Sequence, residues 1–211
     1  MDRRSHIKKL MALGAASAAP GALWAAGAKT SAEHEKKMKP TERAFGYKRS
    51  VSHWTVDDLD WDDLCGWLVQ EGVEAVDLVG PENWHHLKKH GLDSSMCNGA
   101  ELNLVDGFIH EEFEGVLHER YRAMIPRVAK AGYKNLICFS GNRRGLSEEE
   151  GLEQAVKALQ PMVALAEEHG VVLQMELFNS LVDHPDYMAD SSGWGIELAR
   201  ELNSPSFKLL Y

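Results

Sequence analysis

Short apolar stretches alternate along the chain with segments whose apolar residues recur every three to four positions. The first pattern predicts buried strands and the second predicts amphipathic helices. Pro126 and Pro161 lie inside two of these helical segments, where a kink or a break is expected. The predicted strands cover residues 49–54, 73–79, 92–98, 135–140, 171–178 and 206–211, and the predicted helices cover about 57–70, 82–90, 111–130, 147–169 and 193–202.

This alternation is the rhythm of parallel βα units, which fits both a doubly wound sheet and a (β/α)8 TIM barrel. The chain contains neither the Gly-x-Gly-x-x-Gly nor the Gly-x-x-x-x-Gly-Lys-Ser/Thr motif of nucleotide-binding folds. Polar and aromatic residues instead lie at or just beyond the C-terminal ends of several predicted strands, as in barrels, where the strand ends and the loops after them form the site. These residues include His53, Trp54, Glu82, Asn98, Asn142, Glu176 and Asn179.

A complete barrel requires eight strands and roughly 250 residues. The chain has 211 residues and six predicted strands. We therefore expect an α/β fold in which residues 45–211 form an incomplete (β/α)8 TIM barrel. Strands seven and eight would be missing because the chain is truncated or its gene model ends early. A flavodoxin-like sheet that is complete in itself is the alternative.

Residues 1–28 have the composition of an export signal. Arg3 and Arg4, followed by two lysines, precede an Ala-, Leu- and Gly-rich run. The paired arginines resemble the twin-arginine signal for periplasmic export, although His6 stands where Phe is usual. A general secretory signal or an uncleaved anchor are the alternatives. The run is short and Ala-rich, so no stable membrane insertion after cleavage is expected. Residues 29–44 have the composition of a flexible linker.

Charge and cysteine content narrow the possible partners. The formal net charge is -9, and residues 1–28 carry +3 of it, which leaves -12 for the remainder. Because this acidic part of the chain repels nucleic acids and anionic membranes, no nucleic-acid partner is expected. Cys65, Cys97 and Cys138 lack Cys-x-x-Cys spacing and lie in apolar contexts, which predicts buried free thiols.

One carboxylate stands near the end of the apolar stretch at residues 171–179. This is Glu176, in the sequence Val-Val-Leu-Gln-Met-Glu-Leu-Phe-Asn. Burying a lone carboxylate costs several kcal/mol or more, so Glu176 needs a partner. The residues leave two alternatives open, a divalent metal and a structural salt bridge to an arginine or lysine.

Other side chains at the strand ends are candidates for substrate binding. His53 and Trp54 can wall a sugar pocket, but Trp54 can equally pack in the core. Asn179 can bind substrate hydroxyls or cap its own turn. His184 can contact substrate or lie exposed in its loop. Asn98, at the end of the third predicted strand, is a further substrate-binding candidate.

Two clusters of basic residues have alternative explanations. Arg143 and Arg144 can grip a substrate carboxylate or form a solvated surface. His85, His86 and His90 lie along one short helix with no acidic ligand near them, so we do not expect a metal site there.

Several segments together carry a family resemblance. They are Leu-Gln-Met-Glu-Leu-Phe-Asn at 173–179, Val-Asp-His-Pro-Asp-Tyr-Met at 182–188, Gly-Trp-Gly at 193–195 and Phe-Lys-Leu-Leu-Tyr at 207–211. This set resembles the hydroxypyruvate isomerase branch of the xylose isomerase-like TIM barrels. Residues 72–78 and 135–141 fit the same family at its second and fourth strands, and the resemblance covers about residues 47–211.

The resemblance implies a metal-assisted aldose–ketose type isomerase that acts on a small sugar or hydroxy-keto acid through an ene-diolate. In such enzymes Mg²⁺ or Mn²⁺ is held by a Glu on strand five and by polar residues on strands six to eight. Glu176 matches the strand-five residue, as metal ligand and as one of two acid/base carboxylates. The other ligands would follow Tyr211. We therefore expect residues up to 211 alone neither to bind metal tightly nor to turn over substrate.

Other functions fit the same scaffold and the same Glu176. A sugar 3-epimerase and an inosose dehydratase are enzyme alternatives, and an exported sugar-binding protein is the non-catalytic one. The acidic charge argues against a DNA-repair endonuclease of the same barrel type. A homo-oligomer is compatible with each of these functions.

Overall fold

A computed structural model describes residues 48–211, and the following account concerns these residues. The predicted export signal at 1–28 and the predicted linker at 29–44 lie outside them. No helix within residues 48–211 is long and apolar enough to cross a membrane.

Six strands alternate with five α-helices, and each corresponds to a predicted element. A short 3-10 turn, His53–Thr55, directly follows the first strand. The strands are β1 (Ser50–Ser52), β2 (Ala75–Val79), β3 (Asp93–Cys97), β4 (Asn135–Cys138), β5 (Val172–Glu176) and β6 (Phe207–Leu210). The helices are α1 (Trp61–Gln70), α2 (Trp84–His90), α3 (Glu111–Ala131), α4 (Glu148–His169) and α5 (Ser192–Leu202).

The strands form one parallel sheet in the order β1-β2-β3-β4-β5-β6. Because crossovers between parallel strands are right-handed, this sequential order places every connecting helix on the same face. We call the opposite face of the sheet the inner face. A flavodoxin-like sheet reverses its strand order at a switch point, so that alternative is wrong. The arrangement is that of consecutive units of a (β/α) barrel, as predicted.

Local sequence signals explain the helix ends. A capping box starts α4: the Ser147 side chain accepts from the Glu150 N–H, and the Glu150 side chain accepts from the Ser147 N–H. The long helices α3 and α4 run through Pro126 and Pro161 without interruption, so the break that was one expectation at Pro126 does not occur. Each proline removes only one main-chain N–H, and both helices keep a buried stripe against the rest of the fold. The His118 ring bonds the Ala158 carbonyl at 2.7 Å, one turn before Pro161.

Between the sheet and its helices lies an apolar core. Leu136, Leu173 and Phe207, from three neighbouring strands, are almost fully buried. The three cysteines are buried and free, as predicted. Burial raises the pKa of the Cys65 and Cys97 thiols to about 11, so both stay protonated and unreactive near neutral pH.

Candidate active site

Glu176 is the last residue of β5, and its side chain lies on the inner face of the sheet. The preceding residue, Met175, is opposite Leu209 of β6. Leu209 faces the helices, because a Cβ built on Gly195 of α5 would lie 3.0 Å from Leu209 Cδ1. Since successive side chains point to opposite faces of a strand, Met175 faces the helices and Glu176 faces inward.

The Glu176 carboxylate is half-buried and carries no compensating charge among the described residues. Burial raises its pKa to about 7, and desolvation is the cause. No side chain of residues 48–211 forms an ion pair or hydrogen bond with this carboxylate. The structural salt bridge left open by the sequence is therefore not found in this part of the chain. A group with a pKa near 7 can both accept and donate a proton at neutral pH.

The metal alternative requires more ligands than the described residues provide. Among residues 48–211, no three His, Cys, Asp or Glu side chains are grouped so that they could hold an ion. Glu176 offers one carboxylate of the kind that hard cations prefer. One carboxylate does not make a metal site, so an ion bound at Glu176 would need ligands beyond those of residues 48–211.

Aromatic rings in the loop after β5 pack beside Glu176. The centroid of Phe178 lies 4.2 Å from the His184 ring, 4.9 Å from the Tyr187 ring and 6.0 Å from the Phe139 ring. His184 is half-buried in this cluster, so the alternative of a simply exposed loop histidine is wrong. Tyr187 is 1% exposed and was not among the residues singled out in the sequence. Its position in a loop, far from any periodic pattern, gave no signal.

The two predicted asparagines have different surroundings. Asn179 is exposed, and its Oδ1 accepts a hydrogen bond from the Leu181 N–H at 3.0 Å, which caps the turn. The turn-capping alternative is therefore realised for this oxygen. Asn98 follows β3, and its half-buried side chain makes no hydrogen bond within residues 48–211. Its amide remains available to a ligand.

His53 and Trp54 are neighbours in the turn after β1, but their side chains have different surroundings. His53 stacks on Trp61 of α1, with centroids 4.0 Å apart and planes 6° apart. Its Nε2 is buried without a hydrogen-bond partner in the described part of the chain, and desolvation lowers its pKa. Trp54 is 61% exposed, so its assignment to the core is wrong. The exposed ring is free to wall a pocket at this end of the sheet.

Arg143 and Arg144 hold loops together. The Arg143 guanidinium donates to Asp190 at 2.9 Å and to Glu148 at 3.4 Å. Arg144 donates to the Asp106 carboxylate. Arg144 is exposed, as the solvated-surface alternative predicts, whereas Arg143 is half-buried. Both guanidinium groups are paired with carboxylates of the chain. The pairs join the loop after β4 to the loops after β3 and β5, which carry the candidate site.

The histidines of α2 have an acidic neighbour that the sequence did not indicate. His86 Nδ1 and His90 Nε2 lie 3.0 and 3.1 Å from Asp62 Oδ1, and Lys89 Nζ lies 2.5 Å from the other oxygen. The expectation that no acidic group lies near them is wrong, because α1 packs beside α2. Hydrogen bonds from Lys89 first, and then from the histidines, hold the Asp62 pKa well below its usual range. The cluster joins two outer helices.

Comparison with known proteins gives structural matches only. No protein-family model and no curated protein matches the chain. An AP endonuclease of family 2 from Brucella melitensis matches with a TM-score of 0.67 and 16% identity, covering 77% of this chain and 67% of that one. The IolI protein with a bound zinc atom matches with a TM-score of 0.63 and 14% identity, covering 77% of this chain and 62% of that one. A D-psicose 3-epimerase from Clostridium cellulolyticum H10, solved with D-tagatose, matches with a TM-score of 0.59 and 13% identity, covering 77% of this chain and 62% of that one.

These likenesses concern the fold. Identities of 13% to 16% show a shared architecture, here that of an incomplete TIM barrel, and leave the family and the activity open. The chain spans 62% to 67% of the length of the three proteins.

Proposed function

We propose that residues 48–211 belong to an enzyme that interconverts small hydroxy-carbonyl compounds, with Glu176 as a proton-transfer group. The observation that supports this most strongly is an inward-facing carboxylate at a strand end whose pKa is raised to about 7 by burial without a basic partner. Catalytic acids and bases work best when their pKa lies near the working pH. Strand ends are also where barrel enzymes place their catalytic groups.

The chemistry requires a proton to leave the carbon beside a carbonyl group. In the proposed reaction the ionised Glu176 takes this proton, which leaves an ene-diolate. Returning a proton to the neighbouring carbon gives the isomer, and returning it to the other face of the same carbon gives the epimer. The desolvated surroundings strengthen the carboxylate as a base, because water would otherwise stabilise its charge.

In its finer form the proposal is a hydroxypyruvate isomerase-like reaction with Mg²⁺ or Mn²⁺. A divalent ion would polarise the substrate oxygens, and Glu176 would be one of its ligands. The sequence segments around Glu176 and His184 support this substrate. A sugar 3-epimerase is the second candidate, and the match to a D-psicose 3-epimerase favours it.

A nuclease function receives less support from the described residues. The matched AP endonuclease shares the fold. In this chain, however, the arginines of the loop after β4 are engaged by carboxylates, Arg143 by Asp190 and Arg144 by Asp106. Phosphate backbones require cations that are available for contact.

The test is exchange of the substrate proton with solvent, which needs only one base. The chain is incubated in D₂O with Mg²⁺ or Mn²⁺ and a panel containing hydroxypyruvate, ketohexoses and an inosose. Proton NMR then follows loss of the C–H signal beside the carbonyl. Residues up to 211 alone are not expected to complete the isomerisation, but proton exchange is only its first half. We expect exchange above the protein-free rate for at least one substrate, and its loss in Glu176→Gln.

The matched control is Glu153→Gln, which neutralises an exposed glutamate of α4. It should exchange at the wild-type rate. Absence of exchange for every substrate, or undiminished exchange in Glu176→Gln, would exclude the proposed role. Sugar binding without exchange would favour the non-catalytic binding protein.

A further inference from the structure

The hydrogen-bond ladder between β4 and β5 would end at Glu176 if it continued in register. Val172 N–H donates to the Lys134 carbonyl at 2.7 Å, and the register runs unshifted over four residue pairs. Bonds in a parallel ladder are evenly spaced and repeat every two residues. The last paired residues are Cys138 and Met175. If the ladder continued beyond them in the same register, it would include a hydrogen bond from the Ser140 N–H to the Glu176 carbonyl.

The hydroxyl of Tyr187 takes the place of this main-chain hydrogen bond. Ser140 N–H donates to Tyr187 Oη at 3.0 Å, and Tyr187 Oη in turn donates to the Glu176 carbonyl at 3.2 Å. The hydroxyl thus bridges the donor and the acceptor that a continued ladder would join directly. Both main-chain groups remain satisfied, but the two strand ends are spread by the width of one oxygen atom.

We propose that Tyr187 is a positioning residue that holds the ends of β4 and β5 apart and fixes the main chain of Glu176. Spreading the strands at this rung directs the Glu176 side chain into the opening of the inner face. The hydrogen bonds stand on their own, whereas the consequence for catalysis rests on the proposed function.

The surroundings of Tyr187 make this link rigid. The ring is 1% exposed and packs edge-on against Phe178. The Tyr187 carbonyl accepts a bond from Arg143 Nε at 3.4 Å, and Arg143 is itself held by Asp190. A side chain fixed at both its ring and its main chain can transmit a position to its partner.

The experiment compares Tyr187→Phe with Tyr121→Phe by the NMR chemical shifts of the Ser140 amide and of the Glu176 main-chain carbonyl carbon. Tyr121 is a matched control, because its buried hydroxyl donates to the Ile137 carbonyl of β4 at 2.7 Å, away from this rung. We expect both resonances to shift in Tyr187→Phe, because both groups lose their hydroxyl partner, and to keep their wild-type positions in Tyr121→Phe. Unchanged resonances in Tyr187→Phe, or equal shifts in both variants, would overturn the proposal.

A second measurement needs no variant. Scalar coupling across hydrogen bonds reports which carbonyl accepts the Ser140 N–H in the wild-type chain. We expect no direct coupling from Ser140 nitrogen to the Glu176 carbonyl carbon, while the regular rungs of β4 and β5 show theirs. A direct coupling there would mean that the ladder is continuous and Tyr187 is only packing. Neither measurement depends on turnover, so the positioning role can fail while the proposed function stands, and the reverse.

Discussion

At the scale of single residues, two carboxylates show how surroundings decide chemistry. Asp62 lies on outer helix α1 and receives hydrogen bonds from Lys89, His86 and His90, which favour its charged form. Glu176 faces the inner side of the sheet without such donors, and desolvation favours its neutral form. The first carboxylate is therefore fixed as an anion, whereas the second can change its protonation state near neutral pH.

This contrast predicts how stability depends on pH. Because the folded-state pKa of Glu176, about 7, exceeds the ordinary value of 4.5, the folded protein binds the proton more tightly than the unfolded chain. Its contribution to stability is therefore present below about pH 4.5 and is lost as the pH rises through about 7. Glu176→Gln removes the ionisation and should stabilise the protein at pH 8 by about 1–2 kcal/mol, because solvent screens part of the charge on a half-buried carboxylate.

Urea unfolding at pH 8 and at pH 4 measures this difference. Near pH 4, Glu176→Gln should have nearly the wild-type free energy of unfolding, because both side chains are then neutral. Glu153→Gln should show no such pH dependence. A Glu176→Gln protein that is less stable than wild type at pH 8 would reveal a cationic partner for Glu176.

At the scale of elements, the pattern of apolar positions predicted every strand and α-helix of the described residues, but contacts between elements were not predictable. Asp62 and His86 are 24 residues apart and meet only because α1 packs beside α2. Likewise, Tyr187 enters the β4–β5 ladder from a loop, and no spacing rule connects it with Ser140. Such pairings depend on which elements become neighbours, and local sequence does not record this.

The loop after β3 provides an element-scale prediction. Phe108 N–H and Ile109 N–H bond to the carbonyls of Phe139 and Ser140, just beyond β4. Gly107 permits this approach, since a Cβ there would lie 2.4 Å from the Phe139 carbonyl oxygen. Gly107→Ala must therefore shift main chain and should cost about 2 kcal/mol.

Thermal or urea unfolding of a second glycine variant supplies the comparison. Gly115 lies inside helix α3, and nothing within 4 Å would meet an added Cβ. Gly115→Ala should stabilise the protein by about 0.5–1 kcal/mol, because alanine favours the helix. Equal effects of the two substitutions would show that the β3 loop does not need the close approach.

At the scale of the whole molecule, the order of the strands decides the fold. The alternation of strands and helices fitted a doubly wound sheet as well as a barrel, because both are built from βα units. The sequential order β1 to β6 excludes the first and places all helices on one face. The ends of β4 and β5 are then neighbours, which brings Glu176, Tyr187 and the aromatic cluster together.

The strand order also explains which candidate residues lie close together. Phe178 and His184 meet because the loop after β5 folds back toward the end of its own strand, where Glu176 lies. His53 and Trp54 lie five strands from β6, at the other edge of the described sheet. In an open sheet these edges are separate, and only a closed barrel brings strand one beside the last strand.

The most direct test of the central claim is a ¹³C NMR titration of the Glu176 carboxyl in the wild-type chain. The signal is assigned by its absence from Glu176→Gln. A midpoint near 7 is the expected result, since burial without a basic partner raises the pKa to that value. A midpoint at or below the ordinary value of 4.5 would contradict the account, because it would mean that a cation holds this carboxylate ionised.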